Sequence, residues 1–171
     1  MMATSRRHGR SACTRGWRTE KTDETSEQRD ADSAACRLKI DADTHVTVDA
    51  GLVPNGTEPV DGTKFDLRDD PVLDGRAFDD AWVDVHRADD GTTTTVFTRP
   101  DGMEIKLVGD ETINAWQCYT ATGAPFDQHP NGIAVEPMTA PANAFRSGDH
   151  LTVIEPGKSV TTVVRYEVTV K

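Results

Sequence analysis

Short segments in which polar and apolar residues alternate recur through most of the chain from Thr44 onwards, and turns separate them. Residues 44–49 alternate as a half-buried strand does, and Asp89-Asp90-Gly91 has the composition of a hairpin turn. Seven or eight such segments follow one another at intervals of about 8–12 residues, which is typical of a β-sandwich or barrel. The pattern therefore predicts an all-β fold with antiparallel strands.

The composition supports an all-β fold. The chain has 22 Thr and 16 Val but only six Leu, and β-branched residues favour pleated sheets. Residues 51–56 are predicted to form a turn, and residues 61–75 and 141–147 are predicted to be loops. The predicted strands are residues 44–49, 81–87, 92–98, 103–108, 113–120, 133–135, 151–154 and 159–170.

Residues 1–34 differ from the rest of the chain in charge and composition. They hold seven basic and six acidic residues, whereas residues 35–171 hold 12 and 23. The first stretch has almost no large aliphatic residues, so it cannot bury enough apolar surface to offset the entropy of ordering it. We expect a disordered tail over residues 1–34 and a β domain over residues 35–171. A basic nucleic-acid-binding arm is the alternative, but acids soon follow the basic residues.

The composition of the whole chain excludes several functional classes. The formal net charge is −10. Nucleic-acid backbones are negatively charged and bind basic surfaces, so we expect no nucleic-acid partner. No apolar run approaches the ~20 residues of a membrane-spanning helix, and no apolar stretch follows the basic N-terminus as in a secretory signal. Cys13, Cys36 and Cys118 lie far apart, which suits the reducing cytoplasm, and no two His residues have metal-ligand spacing. We expect a cytoplasmic protein that uses neither a membrane nor a metal.

Glu136 occupies the most unusual position, because it follows the apolar residues 133–135 and precedes Pro137. In apolar surroundings the ionised form of a carboxylate is disfavoured, and enzymes tune general bases in this way. A solvent-facing carboxylate on an edge strand, or one paired with Arg146, is the alternative.

Asp79 and Asp80 begin the segment that contains Trp82. Adjacent carboxylates on a strand point to opposite faces, so at most one of them faces a pocket. A carboxylate beside an aromatic ring is a common arrangement for holding a sugar, and a solvated acidic corner is the alternative. His129 precedes Glu136 in a loop and is near enough in sequence to approach it, but we expect a surface histidine.

Five groups of residues, taken in order, resemble the C-terminal half of the aldose 1-epimerases, or galactose mutarotases. They are residues 52–56 with 59–63 and 65–68, the Phe-Asp-Asp-Ala-Trp run at 78–82, the Trp-Gln-Cys-Tyr-Thr run at 116–120, the Ala-Val-Glu-Pro-Met run at 134–138, and residues 141–147 with 155–157. Each is weak alone, but their order and spacing over residues 49–170 make the resemblance specific.

The resemblance implies a galactose-mutarotase-like antiparallel β-sandwich that interconverts the α and β anomers of a free aldose such as glucose or galactose. Glu136 matches the family's general base, which takes the proton from the anomeric hydroxyl. Asp79 matches a residue that binds sugar hydroxyls. The reaction needs one base and one acid beside the sugar and no cofactor.

The sequence departs from the family in one respect. The family's acid is a histidine in a motif of the N-terminal half, and no such motif occurs here. We therefore expect an incomplete sandwich of weak or no activity, with completion by a second chain as one option. A non-catalytic carbohydrate-binding sandwich, or an inactive fragment of a split gene, is the alternative. A sugar phosphate would need basic residues near Glu136, and only Arg146 and Lys158 are near in sequence.

Overall fold

A computed structural model describes residues 34–120 and 132–170. In these residues the chain forms nine strands and one short helix. In chain order they are β1 (Arg37–Ile40), β2 (Ala42–Val48), β3 (Pro54–Pro59), β4 (Asp79–Val85), β5 (Thr93–Thr98), β6 (Glu104–Gly109), β7 (Ala115–Thr120), β8 (Ile133–Met138), α1 (Ala144–Ser147) and β9 (Val164–Thr169).

The strands form two antiparallel sheets. A four-stranded sheet has the order β1-β5-β6-β9, and a five-stranded sheet has the order β3-β2-β4-β7-β8. Every pair of neighbouring strands runs antiparallel. The predicted all-β fold with antiparallel sheets is confirmed.

The main hydrophobic core lies between the two sheets. Leu38 and Leu107 come from the four-stranded sheet, and Trp82 and Trp116 come from the five-stranded sheet; each is at most 1% exposed. The two indole groups are also satisfied as donors, since Trp82 Nε1 donates to the Phe65 carbonyl at 2.8 Å and Trp116 Nε1 to Thr93 Oγ1 at 3.3 Å. Alternating apolar residues therefore meet across the sandwich, as period-two strands require.

A second, smaller apolar cluster lies on the outer face of the five-stranded sheet and consists of Val46, Ala81, Val83 and Ala115. Met138 at the end of β8 packs against it. The chain then crosses this face towards the opposite edge, where the Asn143 side-chain amide donates to the Pro54 carbonyl of β3 at 3.3 Å. This crossing segment explains why Ala81, Trp82 and Val83 are all buried, although simple alternation predicts burial on one face only.

Five local expectations from the sequence are wrong. The final strand, predicted over residues 159–170, begins only at Val164. Strand β1 was not expected, and β3 begins within the predicted turn at 51–56. Part of the predicted loop at 141–147 forms α1. Residues 151–154 form no strand, and Val153 is 75% exposed. The Leu-Thr-Val-Ile composition of 151–154 favours a strand, but β propensity has little effect where no neighbouring strand pairs with the segment.

Candidate functional site

Three polar side chains meet on the outer face of the five-stranded sheet, beside the smaller apolar cluster. Gln117 of β7 pairs in register with Ala81 of β4 on one side and with Glu136 of β8 on the other. Residues directly opposite each other share a face, and so do residues two apart on one strand, so Asp79 also lies on this face. The Gln117 side-chain amide donates to Asp79 Oδ1 at 3.2 Å. We call Asp79, Gln117 and Glu136 the polar row.

The period of the strand separates the two adjacent aspartates, as the sequence predicts. Asp79 is exposed on the outer face, whereas Asp80 points between the sheets and accepts a hydrogen bond at Oδ1 from His45 Nε2, at 2.9 Å. Only Asp79 is therefore available to a molecule that approaches the outer face.

Glu136 is exposed, so the expectation of apolar surroundings for its carboxylate is wrong. The apolar neighbours that suggested such surroundings point the other way: Ile133 is buried, and Val135 packs against the main core. Alternation along β8 turns Glu136 outwards, next to the Gln117 amide. Its geometry places a carboxylate at an open face rather than in an apolar pocket.

Gln117 was missed as a candidate site residue. Nothing in its own segment distinguishes it from any polar residue of an alternating strand. Its place between Asp79 and Glu136 follows from the pairing of three strands that are far apart in sequence. Gln117 could have been found only by predicting which strands pair. If β7 is placed between β4 and β8, with Ala81 and Glu136 in the same row, then Gln117 falls between these two residues.

The polar row can hold a small polyhydroxy molecule. Two strand spacings, roughly 10 Å, separate β4 from β8, so there is room for such a molecule between Asp79 and Glu136 and above Gln117. Two carboxylates accept hydrogen bonds from hydroxyls, and an amide both donates and accepts. No group of three or more His, Cys, Asp or Glu in the described part of the chain is arranged to hold a metal ion.

The buried histidine, His45, lies inside the sandwich and is not part of the polar row. Its Nδ1 is 3.0 Å from Glu58 Oε1, its Nε2 contacts Asp80, and its ring stacks on Phe65 with centroids 3.4 Å apart. Burial acts to raise the pKa of Asp80, but hydrogen bonds from His45 and from the backbone of Asp79 outweigh it and hold that pKa below its ordinary value.

Two further described histidines lie elsewhere. His86 bridges Asp41 and Asp43 with N···O distances of 2.9 and 2.8 Å. His150 lines a cleft of about 670 Å³ that opens on the outer face between β2, β3, β4 and residues 141–150. Arg146 also lines this cleft, whereas the polar row does not. His129, the histidine nearest to Glu136 in sequence, lies outside the described residues.

The family model described as Aldose 1-epimerase matches residues 25–167 of the sequence. The solved structure of a GalM/aldose epimerase homologue from C. elegans is similar in fold, with a TM-score of 0.67 and 18% sequence identity. The similarity covers 81% of this chain but 46% of that one, so the chain spans about half the length of this structural relative. The search of curated proteins returned no match.

The helix found among residues 34–120 and 132–170 is too short to cross a membrane.

The structural similarity confirms the galactose-mutarotase-like fold that the sequence motifs implied. With a family match over most of its length, the chain belongs to the aldose 1-epimerase family.

Proposed function

We propose that the outer face of the five-stranded sheet binds a free aldohexose such as glucose or galactose, and that Glu136 is the base of an anomer-interconverting reaction. The observation that carries this proposal is the polar row, in which Gln117 lies directly opposite Glu136 and donates a hydrogen bond to Asp79, its diagonal neighbour on β4. Family membership supplies the reaction class.

The chemistry assigns a separate task to each residue of the polar row. The Glu136 carboxylate takes the proton from the anomeric hydroxyl O1 while the ring oxygen gains a proton, so the C1–O5 bond breaks and an open aldehyde forms. The ring then closes on either face of the aldehyde: the O5 hydroxyl attacks C1 and gives up its proton, and Glu136 returns a proton to O1. Asp79 accepts hydrogen bonds from sugar hydroxyls, and Gln117, fixed by its own bond to Asp79, orients the sugar towards Glu136.

The acid that protonates the ring oxygen is not in the polar row. His45 is buried between the sheets, His86 is held by two aspartates, and His150 lines the neighbouring cleft. Loss of a general acid typically slows a reaction by ~10²–10⁴-fold. We therefore expect the described face to bind sugar and to accelerate anomer exchange weakly unless a further group supplies this proton.

A mutarotation assay tests the proposal. Fresh α-glucose or α-galactose is followed to equilibrium by polarimetry or NMR, with and without the protein. We expect acceleration above the buffer rate that Glu136→Gln abolishes while sugar binding remains. Glu155→Gln is a matched control, because Glu155 is an exposed glutamate outside the polar row, and it should leave the rate unchanged. Equal rates for Glu136→Gln and the unmodified chain would refute the role of Glu136.

A non-catalytic carbohydrate-binding module is the second candidate, favoured by the absence of a histidine from the polar row among the described residues. It predicts sugar binding without acceleration. Asp79→Asn should then weaken binding measured by NMR titration, while Glu136→Gln changes no rate, so the two candidates give different results in the same pair of experiments.

A further inference from the structure

The buried histidine takes no part in the reaction proposed above, yet one carboxylate links it to the polar row. His45 lies on the inner face of β2, opposite Trp82 of β4 and Glu58 of β3. The residue is 5% exposed, its ring stacks on Phe65, and its two nitrogens contact Glu58 and Asp80. Contacts at one face of the ring and at both nitrogens hold the imidazole in a single orientation.

Asp80 connects this fixed ring to the backbone of its neighbour in the chain. Its Oδ1 accepts a hydrogen bond from His45 Nε2 at 2.9 Å, and its Oδ2 accepts one from the Asp79 N–H at 3.0 Å. The Asp80 side chain is 16% exposed, and hydrogen bonds in such sheltered surroundings are electrostatically stronger than exposed ones. One carboxylate oxygen is thus anchored between the sheets, and the other holds the strand backbone.

The hydrogen bond to the Asp79 N–H lies at the end of β4 where the support of β2 stops. The pairs between β2 and β4 run as far as Val46 and Ala81, whereas Asp79 begins β4 two residues before Ala81. On its other side Asp79 lies opposite Tyr119 of β7. The Asp80 carboxylate therefore supports the first residue of the strand at a point beyond the last pair with β2.

We propose that His45 and Asp80 are positioning residues, which fix the backbone of Asp79 and thereby aim its carboxylate. That carboxylate accepts the Gln117 amide at 3.2 Å on the outer face, while Asp80 is held on the inner face. An acceptor that is already fixed loses little freedom when a sugar hydroxyl binds to it, and this lowers the cost of binding. His45 and Asp80 lie between the sheets, so they act on the sugar only through Asp79.

A positioning role and a purely structural role predict different behaviour of Gln117. Replacement of His45 or Asp80 lowers stability in either case, so stability alone does not identify a positioning role. A role confined to holding the sheets together leaves the hydrogen bond between Asp79 and Gln117 intact in every folded molecule. A positioning role weakens this bond in the folded chain, because the Asp79 backbone can then move. The state of the Gln117 side-chain amide therefore distinguishes the two roles.

NMR of the nitrogen-labelled full chain measures the state of that amide. Gln117→Met identifies the Gln117 side-chain signals by their loss, and Asp79→Ala gives their position without the acceptor. We expect Asp80→Ala to move the signals at least halfway towards that position. Asp80→Asn should leave them close to those of the unmodified chain, since the asparagine oxygen still accepts from the Asp79 N–H.

His45→Phe is a second, independent variant. It keeps an aromatic ring against Phe65 but removes the contact with Asp80, so it should shift the Gln117 signals in the same direction. Leu107→Ala is the control for lost stability, because Leu107 is a 1%-exposed core residue of the four-stranded sheet and its truncation leaves a cavity. This control should leave the Gln117 signals unchanged.

Sugar titration of the same variants measures the consequence for binding, which rests on the proposed function of the polar row. We expect Asp80→Ala to raise the dissociation constant for galactose or glucose about 3–10-fold, the size expected when one side chain must be immobilised on binding. Asp80→Asn should restore the affinity. The rate at saturating sugar should stay the same in both variants, because Glu136 is unchanged.

Gln117 signals that stay unmoved in both Asp80→Ala and His45→Phe would overturn the proposal. So would an equal shift in Leu107→Ala, or a failure of Asp80→Asn to restore the signals. Shifted signals with an unchanged affinity would refute the effect on binding. An unmodified chain that binds no sugar would refute the proposed function instead, and the Gln117 signals would still show whether Asp80 orients Asp79.

Discussion

Removing the imidazole of His45 tests whether polar contacts between the sheets stabilise this fold. His45 is 5% exposed and contacts a carboxylate through each ring nitrogen: Glu58 at 3.0 Å and Asp80 at 2.9 Å. In His45→Ala, Asp80 loses the His45 ring as a donor and keeps the backbone N–H of Asp79, at 3.0 Å, although its side chain is just 16% exposed. A largely buried carboxylate thus loses one of its hydrogen bonds.

The structure sets the size of the effect. A hydrogen bond to a charged group contributes about 1.5–3 kcal/mol, and the stacked contact with Phe65 adds about 0.5–1.5 kcal/mol. We expect His45→Ala to lower the free energy of unfolding by about 2–4 kcal/mol. Urea denaturation followed by tryptophan fluorescence measures it, since Trp82 lies with its ring centroid 6.1 Å from that of His45.

His86→Ala is a matched control. His86 also contacts two carboxylates, those of Asp41 and Asp43, but its side chain is 46% exposed. Water screens such pairs, so the loss should stay below about 1 kcal/mol. A double-mutant cycle of His45→Ala with Asp80→Ala should give a coupling of about 1–3 kcal/mol. Equal losses at both histidines, or no coupling to Asp80, would refute the argument from burial.

Two further predictions concern titration and thiol reactivity. The hydrogen bond with Asp43, assisted by the charge of Asp41, raises the pKa of His86 above 6.5. Protonated His86 therefore stabilises the folded state slightly below pH 6.5, and this stabilisation is lost as pH rises through the raised pKa. NMR titration should show this raised pKa, and Asp43→Asn should lower it; an unchanged pKa in that variant would contradict the stated cause. Burial strongly raises the pKa of the Cys118 thiol, so iodoacetamide at pH 8 should modify it only after denaturation. Peptide mass spectrometry measures this, and rapid labelling of the folded chain would contradict the burial of Cys118.

The strands with the clearest alternation were predictable because their local pattern and their tertiary environment agree. Residues 92–98 and 103–108 closely match β5 and β6, which turn alternate side chains towards the core, including the buried Thr93 and Thr95 of β5. Strand β1 was missed, since four residues carry little periodicity, yet pairing with β5 makes Arg37–Ile40 a strand. Residues 151–154 have the composition of a strand but form none, because no described strand pairs with them.

The candidate site was likewise predicted only in part from the sequence. Sequence alone placed Asp79 and Asp80 on opposite faces, because side-chain direction in a strand depends only on position along the chain. It singled out Glu136 from its apolar neighbours and from the family motif at 134–138. It did not show that Glu136 is exposed, that Gln117 lies between it and Asp79, or that His45 is buried between two carboxylates. Those facts depend on which strands pair and in which register. Pairing joins residues far apart in the chain, so only the assembled sheets fix it.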